Sequence, residues 1–444
     1  MSFKESAFGL IPESWEVKTF DDITSLVTDY VSNGSFASLK ENVTYNSIPD
    51  YAVLIRSKDF NSGFNNDFVY VDKKSYDFLS KSRLFGGEII ISNVGNAGTV
   101  FKCPYLNKPM TLGPNSILIK TKFIDNFYYY WLTSRYGQHQ LNSIIAGSAQ
   151  PKFNKTEFKK LEVPIPPIRV QEEISKILSS LDEKINLNRE TSRNLELLAH
   201  TLYKSWFVDF EFPNKEGKPY KTNGGEMIET EFGFIPKLWT AVSLNDKISV
   251  YNGYSYRGTE LTTSETGLIT LKNFDRNGGF TKKGFKDVLP EKNIKSKLYV
   301  EPFDCLIACT DLTQNAEIIG NPILILSKYN YKKLIPSMDL VKLSFTDEKI
   351  KMFIYESLKS KKFKDHAVGC TSGTTVLHLN KKAAFNYKIV IPNDIELLHT
   401  FNQMIYELYA KIMNNHDENT KLEFIKNELL PRLMNGEIKI PIGE

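Results

Sequence analysis

The chain contains the same plan twice. Phe8-Gly9-Leu10-Ile11-Pro12, with Trp15 three residues on, recurs as Phe232-Gly233-Phe234-Ile235-Pro236 with Trp239, an offset of 224. Gly147-Ser148-Ala149, Asn154-Lys155 and Val163-Pro164-Ile165-Pro166 recur as Gly373-Thr374-Thr375, Asn380-Lys381 and Ile389-Val390-Ile391-Pro392, an offset of 226. Leu181-Asp182-Glu183-Lys184-Ile185 recurs as Leu408-Tyr409-Ala410-Lys411-Ile412, an offset of 227. A repeat kept in order over half the chain fixes the architecture before any local reading. The 444 residues therefore divide into two long halves, where length alone suggests about three domains.

Each half reads as a mixed segment followed by a long helix. In the first, Glu88 to Ser92 and Ser116 to Lys120 are short β-rich runs bounded by glycine or proline, and 126–145 has a helical pattern. The second repeats this with Asp304 to Ala308, Asp339 to Leu343 and a helix over 347–364. Both mixed segments are α+β in character. After them, Ile174, Leu178, Leu181, Ile185, Asn188, Ser192, Leu195, Ala199, Leu202 and Trp206 alternate at spacings of four and three, a heptad seam. Leu398, Phe401, Ile405, Leu408, Ile412, Asn415, Asn419, Leu422, Lys426, Leu429 and Leu433 keep the same alternation. Asn188 matches Asn415, and Ser192 matches Asn419. Two such helices packed together would share a polar layer that pins register, and an antiparallel pair suits the chain's return. The plainer alternative is that each helix caps its own domain.

Composition is that of a globular chain: 41% hydrophobic and 24% charged. No apolar run is long enough to span a membrane, and residues 1–6 lack a secretory pattern, so a cytoplasmic location is expected. Cys103, Cys305, Cys309 and Cys370 are too few and too irregular for a disulfide framework, and no metal site is expected. The net charge of +4 is unevenly placed. Residues 1–168 hold 18 basic and 16 acidic side chains, and residues 209–393 hold 27 and 21. A stiff pair of helices with two related but unlike mixed segments suits a linear target read at two places, and duplex DNA is the obvious one.

Several motifs then support a resemblance. The segments around Trp15 and Trp239, Gly95-Asn96-Ala97-Gly98, Gly147-Ser148-Ala149-Gln150-Pro151, and Pro164-x-Pro166-Pro167 followed by Gln171-Glu172-Glu173-Ile174 resemble the specificity (S) subunit of Type I restriction-modification systems. The resemblance covers nearly the whole chain. It implies two target recognition domains, 1–168 and 209–393, separated by spacer helices, 169–208 and 394–437, packed as an antiparallel coiled coil, with a tail at 438–444. It also implies a non-catalytic reader of a bipartite sequence in double-stranded DNA. Two methyltransferase (M) subunits and two restriction (R) subunits would be its partners, and S-adenosylmethionine, ATP and Mg would belong to those subunits, with no cofactor in this chain. In the second half Thr310-Asp311-Leu312-Thr313 stands where Gly-Asn-x-Gly is expected.

The chemistry missing from the sequence agrees with that role. There is no Asn-Pro-Pro or Asp-Pro-Pro to hold a flipped base and no phosphate-binding Gly-x4-Gly-Lys loop. Asp209, Glu211, Glu226 and Glu229 read as linker charge. For DNA contact, Arg56 and Lys58, with Lys272 and Asn273 at the comparable place, follow apolar strand runs; Arg and Lys suit guanine edges and Asn suits adenine. Lys152, Asn154 and Lys155, with His378, Asn380 and Lys381, are expected to position phosphates, the alternative being that they cap the next turn. Gly95, Asn96 and Gly98 are expected to form a turn at a strand end, either one that lets DNA or a neighbouring loop come close or a plain tight turn. The rival reading is a coiled-coil scaffold for protein partners that reads no DNA.

Overall fold

The computed structural model describes residues 2–64, 68–275, 279–313 and 315–441. The chain forms two compact units, Met1–Lys184 with Leu422–Glu444, and Ile185–Lys421. Each unit takes one mixed segment and a share of both long helices.

The first unit opens with a hairpin of Phe3–Ser6 and Gly9–Pro12. Strand Glu16–Thr19 then pairs antiparallel with Glu162–Ile165, so the beginning and end of the mixed segment are joined. Pro164 is tolerated there because a two-stranded ribbon has a free edge for a residue without an N–H. A four-stranded antiparallel sheet runs Val100–Lys102, Ile89–Ser92, Ser116–Thr121, Thr24–Asp29. Its central strand Ile89–Ser92 is buried along its whole length, as a continuous apolar run requires. A second sheet contains one parallel pair, Ala52–Ile55 with Met110–Leu112. Its side chains Val53, Ile55, Met110 and Leu112 pack with Ile90 and Phe101 of the first sheet.

The second unit repeats this order. Met227–Thr230 and Gly233–Pro236 form the hairpin, and Trp239–Ser243 pairs with Lys388–Pro392. The four-stranded sheet is Ile248–Asn252, Leu340–Phe345, Cys305–Ala308, Pro322–Leu324, and Thr266–Ile269 runs parallel to Lys333–Pro336.

Two sequence expectations are corrected in the same way. The helix expected over 126–145 is two helices, Asp125–Thr133 and Arg135–Ile144. The helix expected over 347–364 likewise becomes Lys351–Leu358 and Lys361–Gly369. The break falls at matched serines: Ser134 accepts from the Gly137 amide, and Ser360 accepts from the Phe363 amide. A serine at an N-cap satisfies an amide that the helix start leaves free. Gly137 also passes so close to the Trp131 carbonyl that a β-carbon would lie 2.2 Å from it.

The first long helix is Ile168–Tyr203, ending in a wider turn over Lys204–Val208, and the second is Ile395–Met434. Their heptad seams are buried or half-buried along their length. In the second unit Asn188 donates to Asn419 Oδ1 (2.9 Å) and to Glu418 Oε2 (2.7 Å). Asn415 donates to Ser192 Oγ (3.2 Å), and Asn419 donates to the Ile185 carbonyl (3.3 Å). Partners that rise in number on one helix fall on the other, so the helices run antiparallel. In the first unit Lys426, the one charged seam position, reaches Asp182 Oδ1 at 2.5 Å. Buried polar groups survive here because they satisfy one another.

Candidate nucleic-acid interface

In the first unit the strand ends gather several of the residues singled out from sequence. Strands Ala52–Ile55, Ile89–Ser92 and Met110–Leu112 lead into turns around a cleft of about 430 Å³ lined by Arg56, Lys58, Ser92, Asn96 and Asn115. Lys58 and Asn96 are exposed. Arg56 is preset: its Nε lies 3.1 Å from Asp59 Oδ2 and its Nη2 lies 2.6 Å from Asp59 Oδ1, and Asp59 is almost fully buried. A guanidinium held by a buried carboxylate is fixed in orientation at the mouth of the cleft. The Asn96 turn depends on glycine, since Gly95 and Gly98 have φ of 81° and 89°. The Gly95 amide donates to the Pro151 carbonyl, tying this turn to the Lys152 segment.

Lys152 sits between bridges to Val94 and Ala146 with its side chain exposed. Asn154 caps the helix Lys155–Lys159, its Oδ1 accepting from the Glu157 amide at 2.9 Å. Lys155 lies 2.9 Å from Asp29 Oδ1 and 2.8 Å from Ser32 Oγ. Within the domain Asn154 thus serves as a cap, the alternative that the sequence left open, and Lys155 is paired with a carboxylate.

The second unit builds the same end with different side chains. Ile55 and Ile269 end equivalent strands, so Arg56, Lys58 and Asp59 correspond to Thr270, Lys272 and Asn273. The correspondence is visible in the caps: Asp59 Oδ2 accepts from the Arg56 amide (2.8 Å), and Asn273 Oδ1 accepts from the Thr270 amide (2.9 Å). Asn273 is fully buried and donates to the Thr281 carbonyl at 3.0 Å. The adenine contact expected of Asn273 is therefore corrected; it is a buried capping residue, and its neighbour Lys272 is exposed.

The strand pairing corrects the sequence alignment by one residue: Thr310 faces His378 as Val94 faces Lys152, so Asp311 stands at the place of Gly95 and not of Asn96, and it organises its turn by charge. Its Oδ1 accepts from the Thr313 amide and hydroxyl at 2.8 Å each, and its Oδ2 accepts from the Ile318 (2.6 Å) and Ile319 (3.1 Å) amides. Burial works to raise the pKa of this carboxyl, but those donors hold it below the usual carboxylate range. His378 pairs with Thr310 and Ser372 in place of Lys152 and is exposed. Asn380 caps Lys381–Ala384 by accepting from the Ala383 amide at 3.2 Å, the capping alternative that the sequence left open. Lys381 takes the position of Lys155, but its partner is Asn252 Oδ1 at 2.6 Å.

The partners Asp29 and Asn252 were not singled out from sequence. Asp29 ends Thr24–Asp29 opposite Ile117, and Asn252 ends Ile248–Asn252 opposite Val341, so a gapped alignment of the two repeats would have brought them together. Among the described residues no group of three or more His, Cys, Asp or Glu is placed to hold a metal ion, and no helix is long and apolar enough to cross a membrane. The four thiols are free. Burial pushes Cys103 and Cys309 up to about 12, far from the thiolate form.

Comparison with known proteins gives this geometry a context. Residues 12–197 match the Type I restriction modification DNA specificity domain. The chain is 27% identical to the Type I restriction enzyme MjaIX specificity subunit of Methanocaldococcus jannaschii, over 99% of this chain and 96% of that one. It is 25% identical to the HindI specificity subunit of Haemophilus influenzae, over 91% of this chain and 98% of that one. Its fold is similar to the crystal structure of a Type I restriction-modification S subunit from M. genitalium, with a TM-score of 0.54, 15% identity, and 98% and 97% of the two chains covered. Residues 12–197 are thus similar to a Type I specificity domain, and nearly the whole chain resembles Type I specificity subunits.

Proposed function

We propose that this chain reads a bipartite, asymmetric sequence in double-stranded DNA, one half-site per mixed domain, as the non-catalytic specificity subunit of a Type I restriction-modification complex. The observation that carries the reading is duplication with divergence. The two domains share strand order, a parallel pair and a break at matched serines, while their strand-end turns present Arg56, Lys58, Asn96 and Lys152 in one and Lys272 and His378 in the other. Arginine and lysine suit guanine edges, and asparagine suits adenine. The paired helices set the unread gap, with Asn188, Ser192, Asn415 and Asn419 pinning their register.

The same helices recruit two methyltransferase and two restriction subunits in the cytoplasm. Leu187 and Leu197 on the first helix and Phe424 on the second remain well exposed, which favours a protein partner there. Those partners bring the S-adenosylmethionine, ATP and Mg chemistry.

The test is to map methylated adenines in DNA from cells expressing this chain with its methyltransferase subunit. One two-part motif with a fixed gap is expected, and exchanging residues 1–168 for those of another specificity subunit should change one half of it only. Methylation insensitive to scrambling either half would favour the scaffold reading and overturn this one.

A further inference from the structure

The two reading domains differ most in how positive charge is held. Residues 272–297 carry eight lysines and arginines against three acids, whereas the equivalent stretch 58–83 carries five against four. Lysines of the second stretch converge. Lys292, Lys295 and Lys297 line a cleft of about 670 Å³ together with Tyr251, Asn252 and Tyr254. All three lysines are exposed, and among the described residues none has a carboxylate partner. The adjacent Glu291 faces Arg257 instead, at 3.8 Å. Lys297 lies over the Tyr251 ring, 5.5 Å from its centre.

The cleft is built on a fixed frame. Buried Glu260 accepts hydrogen bonds from the Tyr254 hydroxyl and from the Arg257 and Glu291 amides, so the wall bearing Tyr254 and the wall bearing Lys292 are tied to one carboxylate. Asn252 belongs both to this cleft and to the pair with Lys381, so the cleft is continuous with the strand-end surface described above. Because Lys381 has a carboxamide partner where Lys155 has a carboxylate, its charge also stays uncompensated.

We propose that the cleft of Lys292, Lys295 and Lys297, flanked by Lys381, is a sequence-independent anchor for the DNA phosphodiester backbone, so that the second domain supplies most of the salt-sensitive binding. Lysine is a mobile point charge on a flexible stem, suited to phosphate oxygens more than to a fixed base edge. Each phosphate it neutralises releases counterions and steepens the dependence of affinity on salt.

This inference rests on the DNA-reading assignment, and the experiment separates the two. Binding of the full chain, assembled with the methyltransferase subunit, to a fluorescein-labelled mixed-sequence duplex is followed by anisotropy between about 50 and 200 mM salt. For K292A/K295A/K297A the slope of log affinity against log salt should shrink by about 2–3, with an unchanged melting temperature because the three side chains are exposed. The triple arginine variant should keep the slope, and K73A/K74A/K81A in the first domain should change it by less than half as much. An unchanged slope with normal wild-type binding overturns the anchor and leaves the reader intact. An equal loss in the first-domain variant overturns the asymmetry. A change in the methylated motif would make the lysines base readers and overturn the phosphate role. Absence of any wild-type binding sinks the DNA reading and the anchor together.

Discussion

Tyr130 and Glu356 occupy equivalent places, one in each unit, at an offset of 226, and each touches the long helix that follows its own domain. In the first unit the domain supplies the tyrosine: Tyr130 donates to Asp182 Oδ2 at 2.8 Å, and Lys426 completes the site. In the second the roles are exchanged: Tyr409, the counterpart of Asp182, donates from the helix to Glu356 Oε1 at 2.8 Å. Lys359 lies 3.2 Å from Glu356 and 2.9 Å from the Tyr409 hydroxyl, and His200 Nδ1 lies 3.3 Å from Glu356. The same hydrogen bond is kept with donor and acceptor reversed. Its lesson is that the two domains are not interchangeable at this contact, because a domain moved to the other helix would set acid against acid or tyrosine against tyrosine.

The deeper of the two joints should show the largest effect. Glu356 is fully buried, so E356A strands Lys359 and the Tyr409 hydroxyl and should cost about 3–5 kcal/mol in urea unfolding of the full chain. Burial works to raise the Glu356 pKa, but Lys359 and the hydrogen bonds from His200 and Tyr409 hold it below the usual value. A carboxyl depressed in the folded state stabilises fully above its unfolded pKa, about 4.3, and that stability is lost as pH falls through the folded pKa. The acid limb of the stability profile should therefore flatten in E356Q; an unaltered limb would show that the joint is not titrating.

Reversing the first joint comes next. Y130E faces Asp182 with a second carboxylate and should destabilise by about 2 kcal/mol, while Y130E/D182Y recreates the arrangement of the second unit and should regain at least half. Additive losses in that double-mutant cycle would break the comparison. At the reading ends the effect is smaller still. N252D gives Lys381 the partner that Lys155 has, and D29N does the reverse, so the salt slope of DNA binding should fall by about 1 in the former and rise by about 1 in the latter. The smallest difference is expected at the matched caps: N154A and N380A should each cost about 1 kcal/mol by thermal unfolding and leave the methylated motif unchanged. A changed motif in either would return that asparagine to the DNA surface.

The two-part plan, the strands and the heptad seams were legible in the sequence, because they are written in short-range periodicity and in segments that recur in order. The breaks at Ser134 and Ser360 were not read, although each is a serine N-cap, because the apolar pattern continues across the kink. Of the expected interface residues, Arg56, Lys58 and Asn96 come together in one cleft, a proximity that their residue types alone did not give. What those types cannot tell is which polar group is already occupied. Asn273 is a cap, Asn154 and Asn380 are caps, and Lys155 is neutralised by a residue 126 positions away. A side chain's availability depends on neighbours that only folding brings within about 3 Å, and hydrogen bonds at that range leave no periodic trace in the chain. Sequence therefore determined the repeat, the helices and the chemical alphabet of the surface, and the tertiary structure decided which letters remain free to be read.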